Sequence, residues 1–127
     1  MKGENKKPEG EQAEGKVEEK EIKNKKDYVT VVGGVTTINL KHPVKFNDVE
    51  IKEVKMDFNS LNGVKLCEAE VVSQGRFYSA SSEIKFGQAY QAAVGAAAAD
   101  LPYEAILELK HSDFDILVEV VKGFLLA

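Results

Sequence analysis

Few side chains in this 127-residue chain could do chemistry, and their spacing argues against it. His42 precedes Pro43 in a turn-like stretch, His111 stands before the last helical pattern, and Cys67 is the single cysteine. A tetrahedral metal site needs four N or S ligands at short spacings, and one Cys with two distant His does not supply them. Ser112 and Asp113 follow His111 directly, but three consecutive residues at a helix start make a poor triad, and Ser112 there has a capping role. Asp113 and Asp115 are two apart, so they point to different sides of a helix and are no carboxylate pair; Glu68 and Glu70 read as a solvated face. Cys67 falls on the apolar face of its helical pattern, where it reads as a small buried hydrophobe rather than a nucleophile. Gly33-Gly34 lacks the further glycines and the Lys-Ser/Thr of a phosphate loop. Phe77, Tyr78 and Tyr90 read as core aromatics rather than a base-stacking platform. The expectation is therefore no enzyme, and no catalytic, cofactor or metal site.

The elements that would carry these residues divide into strands and then helices. Tyr28-Val29-Thr30-Val31-Val32 and Val35-Thr36-Thr37-Ile38-Asn39-Leu40 read as strands joined by a Gly33-Gly34 turn. Pro43 marks a break or an edge. Val44-Lys45-Phe46 and Val49-Glu50-Ile51 alternate around an Asn47-Asp48 turn. Val54, Met56 and Phe58 continue the alternation after a one-residue slip, where a bulge is expected. From residue 59 the period becomes helical. Leu61, Val64, Cys67 and Val71 share a face, with Asn62 or Asn59 as N-cap and Gly75 at the close. After a connector at 76–80, Ser81 or Ser82 caps a helix in which Phe86, Ala89, Tyr90, Ala93, Val94 and Ala97 align, and tight packing is expected along 92–99. Asp100 caps a short helix with Pro102 in its first turn, where Ile106 and Leu109 face inward. The fold class is α+β: a small N-terminal antiparallel hairpin or meander, then about four helices that form most of the core.

The last helical pattern is the greasiest. Ser112 reads as its N-cap, Asp115 as the acid of a capping box, and Asp113 and Asp115 as charges favoured by the helix dipole. Phe114, Leu117, Val118, Val121 and Leu125 form one apolar stripe, and Ile116, Val120 and Phe124 a second beside it. Only Glu119, Lys122 and Gly123 stay polar or small, so about two-thirds of the circumference wants cover. Two readings stand: a central helix of the core, or a face that meets a like protomer or a partner helix.

Composition sets the limits. Residues 1–27 hold eight lysines and eight acids with almost no aliphatics, and read as a disordered, charge-balanced tail. Residues 28–127 read as one domain with 13 acids and nine bases, which carries the whole net charge of −4. A mildly acidic domain with Arg76 as its only arginine argues against nucleic acid, and Lys23, Lys25 and Lys26 are surrounded by acids. Cys67 alone excludes an internal disulfide and fits a reducing compartment. The charged N-terminus does not read as a secretory signal, and the apolar run at 96–99 is far shorter than a membrane span. A cytoplasmic location is expected.

The order of these pieces resembles a known family. Ile38-Asn39-Leu40-Lys41-His42-Pro43-Val44-Lys45-Phe46-Asn47-Asp48 is followed by Met56-Asp57-Phe58-Asn59-Ser60-Leu61-Asn62-Gly63 and a helix with Glu68-Ala69-Glu70. An Ala-rich helix comes next, then Leu109-Lys110-His111-Ser112-Asp113-Phe114 and a helix ending Gly123-Phe124-Leu125-Leu126. Over residues 36–126 this is similar to the tail assembly chaperones of tailed bacteriophages, in the Mu-like contractile-tailed group. Asp48 departs from the pattern, where Gly is common, and the charged tail lies outside it.

The resemblance implies a non-enzymatic protein of the bacterial host cytoplasm, absent from the mature virion. It would bind the tape measure protein and keep it soluble until tail tube protein polymerises around it. It also implies the major tail tube protein and a frameshifted longer form of the chain as further partners, and the unshared stripe implies a homo-oligomer; a membrane or nucleic-acid partner is not expected. The chain's ending after Phe124-Leu125-Leu126 is what the shorter product would show. The residues expected to meet a partner are Phe114, Leu117, Val118, Val121, Phe124 and Leu125, beside the helix at 92–99. The alternative is a structural tail component, a tube or terminator subunit built into the particle.

Overall fold

Two tight turns at left-handed backbone angles organise the sheet. A computed structural model describes residues 28–77 and 87–127; the tail at 1–27, Tyr78, Ser81, Ser82 and Phe86 lie outside the described residues. Strands β1 (Val29–Val32), β2 (Val35–Phe46) and β3 (Val49–Asp57) form an antiparallel meander in the order β1-β2-β3. Gly33 and Gly34, at φ +60° and +84°, make the two-residue turn between Val32 and Val35. A Cβ on Gly34 would lie 2.7 Å from Asn59 Nδ2, so this position has no room for a side chain as well as an unfavourable φ. Asn47 and Asp48, at φ 50° and 66°, make the second turn between Phe46 and Val49. The turn thus keeps positive φ at both positions without glycine, at a cost of about 1 kcal/mol for the aspartate.

One face of the sheet is buried. Thr36, Ile38 and Leu40 on β2 and Val54 and Met56 on β3 point inward, while Asn39, Glu53 and Lys55 stay exposed, as period-2 alternation requires. The ladder shifts register where the slip in the β3 pattern predicts it, but the extra residues sit on the other strand. Asn39 pairs with Glu53 and Val44 with Ile51, so Leu40, Lys41, His42 and Pro43 lie opposite Lys52 alone. Pro43 therefore ends no strand. It sits in a bulge, where its missing N–H costs no ladder bond.

A 3-10 turn at Phe58–Ser60 leads into α1 (Gly63–Arg76). Asn62 caps α1 by accepting a hydrogen bond from the Lys65 N–H, as expected. The remaining helices are α2 (Gln88–Ala99), α3 (Tyr103–Leu107) and α4 (His111–Leu125), so the described residues form an α+β fold with four α-helices after the sheet.

Helix α2 is the centre of the core, and α1, α3, α4 and β3 all pack on it. It is buried nearly all round, through residues such as Ala92, Ala93, Val94, Ala96 and Ala98. Small residues let the neighbours come close: a Cβ on Gly95 would lie 2.9 Å from Leu117 Cδ2, 3.3 Å from Val121 Cγ2 and 3.4 Å from Met56 Sδ. Asp100 does not cap the short helix. It ends α2 at φ 57°, with its own N–H on the Ala97 carbonyl and the Leu101 N–H on the Ala96 carbonyl, the paired closure that satisfies the last carbonyls. Pro102 then stands at the N-cap position of α3, and Ile106 and Leu109 face inward as expected. The buried Tyr103 hydroxyl donates to the Ala89 carbonyl at 2.9 Å, and burial raises its phenol above the usual value of 10.0.

The start of α4 differs from the capping box. Lys110 is the N-cap residue and makes no side-chain cap, so Ser112 lies inside the first turn. The earlier start turns Asp113 toward the sheet, where it is completely buried. Its Oδ1 accepts from the Lys41 N–H and its Oδ2 from the His42 N–H, both at 3.0 Å. The carboxylate thus satisfies two donors that the bulge has taken out of the ladder. Asp113→Ala strands both donors and is expected to lower the unfolding free energy by about 2–5 kcal/mol, with Asp113→Asn in between because it keeps one acceptor. Urea denaturation checks this; a loss below about 0.5 kcal/mol for the alanine variant would show that the clamp is not needed.

Candidate partner-binding surface

The stripe expected to meet a partner is mostly interior. Leu117 and Val121 on α4 are 0% exposed and Val118 is buried, packed with Ile116 into the same core as Ile38, Val54 and Met56. No partner can touch these three side chains in this fold. Phe114 and Leu125 are half-buried against the core. Phe124 is 38% exposed and stacks on Phe58, with ring centroids 4.6 Å apart, and Leu126 beyond it is exposed. Of the six expected residues, Phe114, Phe124 and Leu125 keep some exposed surface, and Phe124 is the most open of them.

The chemistry-bearing side chains are dispersed. His42 lies in the β2 bulge and His111 opens α4, and both are exposed. Asp113 spends its two oxygens on backbone amides, so it is not aligned to serve His111 or Ser112. No group of three or more His, Cys, Asp or Glu side chains that could hold a metal occurs among the described residues. Tyr90 is buried, and burial raises its phenol, with the Glu70 carboxylate adding to the effect. Phe77 is half-exposed, edge-on to Tyr103 at 6.5 Å and beside the Arg76 guanidinium, which pairs with Glu104 at 3.5 Å. Glu68 and Glu70 are exposed, as their spacing implies.

The feature the sequence reading misplaces is α1. Its expected buried face of Val64, Cys67 and Val71 points to solvent, and the thiol expected in the core is exposed. The face that packs on α2 carries Ala69 and Ser73, with Leu66 partly buried. Small residues fit against the alanines of α2, so this face wins although its side chains bring less apolar area. Val64 is 65% exposed and Val71 71%, and with Cys67 and Val72 they form an open apolar patch on one side of α1 that also takes in Gly63 and Glu68. β-Branched residues are weak helix formers, so three valines on an outward helical face do nothing for the helix itself. The missed signal was a competing stripe, Leu66-Ala69-Ser73, at equally good helical spacing.

Comparison with family models, curated proteins and solved structures gives no match for this chain. Among the described residues no helix is long and apolar enough to cross a membrane.

The two stripes separate by substitution. Leu117→Asp buries an uncompensated charge beside Gly95 and is expected to unfold the domain, seen as lost helical circular dichroism. Val71→Asp lies on the surface and is expected to change stability by no more than about 0.5 kcal/mol. A folded Leu117→Asp variant, or an unfolded Val71→Asp variant, would reverse the assignment of inner and outer faces.

Proposed function

We propose that this protein is a non-enzymatic tail assembly chaperone of a tailed phage or prophage. In this reading it binds the tape measure protein and holds it soluble in the host cytoplasm until tail tube protein assembles around it. The single observation that carries the reading is the outward apolar stripe of Val64, Cys67, Val71 and Val72 on α1. A long helical client exposes apolar faces that aggregate unless something covers them, and a solvent-facing apolar helix can do so in a helix-in-groove mode. The buried Leu117 and Val121 hold the domain together, while α1 and the exposed end of α4 at Phe124 and Leu126 meet the client. The order of packing motifs over residues 36–126, which resembles that family, supports the same reading.

Co-expression with a tape measure fragment tests it, followed by size-exclusion chromatography with light scattering. The fragment is expected to stay soluble and co-elute with the wild-type chain. An insoluble fragment, together with rings or tubes formed by the protein alone, would replace this reading with that of a structural tail subunit.

A further inference from the structure

The outer edge of β1 offers unused backbone groups. Asn39 donates its N–H to the Tyr28 carbonyl at 2.8 Å, so Tyr28 and Asn39 form a hydrogen-bonded pair at the end of the β1–β2 ladder. Such pairs alternate along an antiparallel ladder. Thr30–Thr37 and Val32–Val35 therefore bond across it, whereas Val29 and Val31 turn their N–H and C=O groups to the outside. Among the described residues no strand or side chain meets those four groups. Charges, prolines and bulges are the devices by which a sheet edge refuses a further strand, and Val29-Thr30-Val31-Val32 has none of them. Val31 and Val32 are instead 66% and 70% exposed, on opposite faces of the sheet. The other edge is guarded: β3 presents Glu50, Lys52, Glu53 and Lys55 to solvent, with Lys55 paired to Glu53 at 3.5 Å.

The residues of the open edge say what pairs with it, because Tyr28-Val29-Thr30-Val31-Val32 is close to symmetric about Thr30. Laid antiparallel on a second copy about a two-fold axis at Thr30, the strand sets Thr30 against Thr30, Val29 against Val31 and Tyr28 against Val32. In this register all four outward groups of each copy bond within the strand, each Val29 exchanging both bonds with the other copy's Val31. The side-chain pairs are of kinds that favour antiparallel sheets. Thr meets Thr and an aromatic meets a β-branched residue on the outer face, and Val meets Val on the core face. No charge meets a like charge. The chain's own residues 1–27 suit this edge badly, since their eight lysines and eight acids would lie along the valines. We propose that β1 is the contact of a two-fold dimer, in which two three-stranded sheets join into one of strand order β3-β2-β1-β1-β2-β3. Such a contact uses the same patch on both copies and closes on itself, and the charged β3 edges end the sheet. The interface is separate from α1 and does not depend on the chaperone reading.

Sedimentation equilibrium of the full chain over a concentration series is expected to show monomer and dimer and no larger species. Thr30 is exposed, and Thr30→Lys or Thr30→Glu sets like charges against each other at the axis. Each variant alone is expected to weaken the dimer about tenfold or more, with the circular dichroism spectrum unchanged. Mixing the two is expected to recover it, because lysine then faces glutamate. Val31→Pro removes an outward N–H and no bond to β2, and is expected to weaken the dimer likewise. Amide hydrogen exchange of the wild-type chain reads the register without a variant. Val29 and Val31 are expected to exchange about tenfold more slowly in concentrated than in dilute samples, while Val32, already bonded to Val35, does not change. A chain that stays monomeric, oligomers beyond the dimer, or a dimer that Thr30→Lys and Val31→Pro leave intact would each overturn the proposal. So would variants of Thr30 that fail to recover the dimer on mixing, or a dimer that Val71→Asp converts to monomer, which would put the contact on α1. A monomeric chain whose Val29 and Val31 amides slow only when a tape measure fragment is added would give the edge to another protein's strand.

Discussion

A strand that takes in extra residues must find partners for the amides it removes from the ladder. In β2 that demand falls on Lys41 and His42, and one buried carboxylate on another element meets it. Asp113 lies in the first turn of α4, where the helix dipole favours its negative charge, so its three surroundings are two N–H groups and a helix N-terminus. The arrangement pins the start of α4 to the bulge, and the Phe58–Phe124 stack holds the same helix near its other end. Fixed at both ends, α4 lays Leu117 and Val121 across Gly95 and against Met56.

That placement depends in turn on α2. Its run of Ala92, Ala93, Ala96 and Ala98 brings neighbouring helices close on every side, so the core gains its density from small residues rather than large ones. Helix α1 joins on the same terms, through Ala69 and Ser73. Its larger side chains are then surplus to folding, which is why Val64, Val71 and Val72 remain on the surface.

The sheet was legible in the sequence because both of its turns are written in residues that tolerate positive φ, and because alternation over Thr36, Ile38, Leu40, Val54 and Met56 admits one register. The slip after Ile51 located the bulge but not its strand, since an alternation pattern reports a mismatch without saying which side holds the extra length. The capping residue Asn62 and the inward Ile106 and Leu109 followed from local rules. Three things did not. Asp113 looked like a helix-start charge, and nothing local says that it reaches a strand 71 residues away in sequence. Asp100 looked like an N-cap, but the same residue type also suits a left-handed C-terminal closure. On α1 the larger residues Val64, Cys67 and Val71 drew the expected face, whereas closeness of approach to an alanine-rich neighbour favours Ala69 and Ser73. As a result the open apolar stripe was expected on α4, most of which the domain itself covers, while the structure leaves one exposed on α1.

The two sides of α1 answer to different constraints as the sequence drifts. Ala69 and Ser73 are buried where α1 packs on α2, and enlarging either one overpacks that contact. Val64, Cys67 and Val71 are exposed and lie outside the buried core, so substitutions there are far less constrained by folding. Sequence drift can therefore rewrite one side of a single helix and carry the same folded domain through the change.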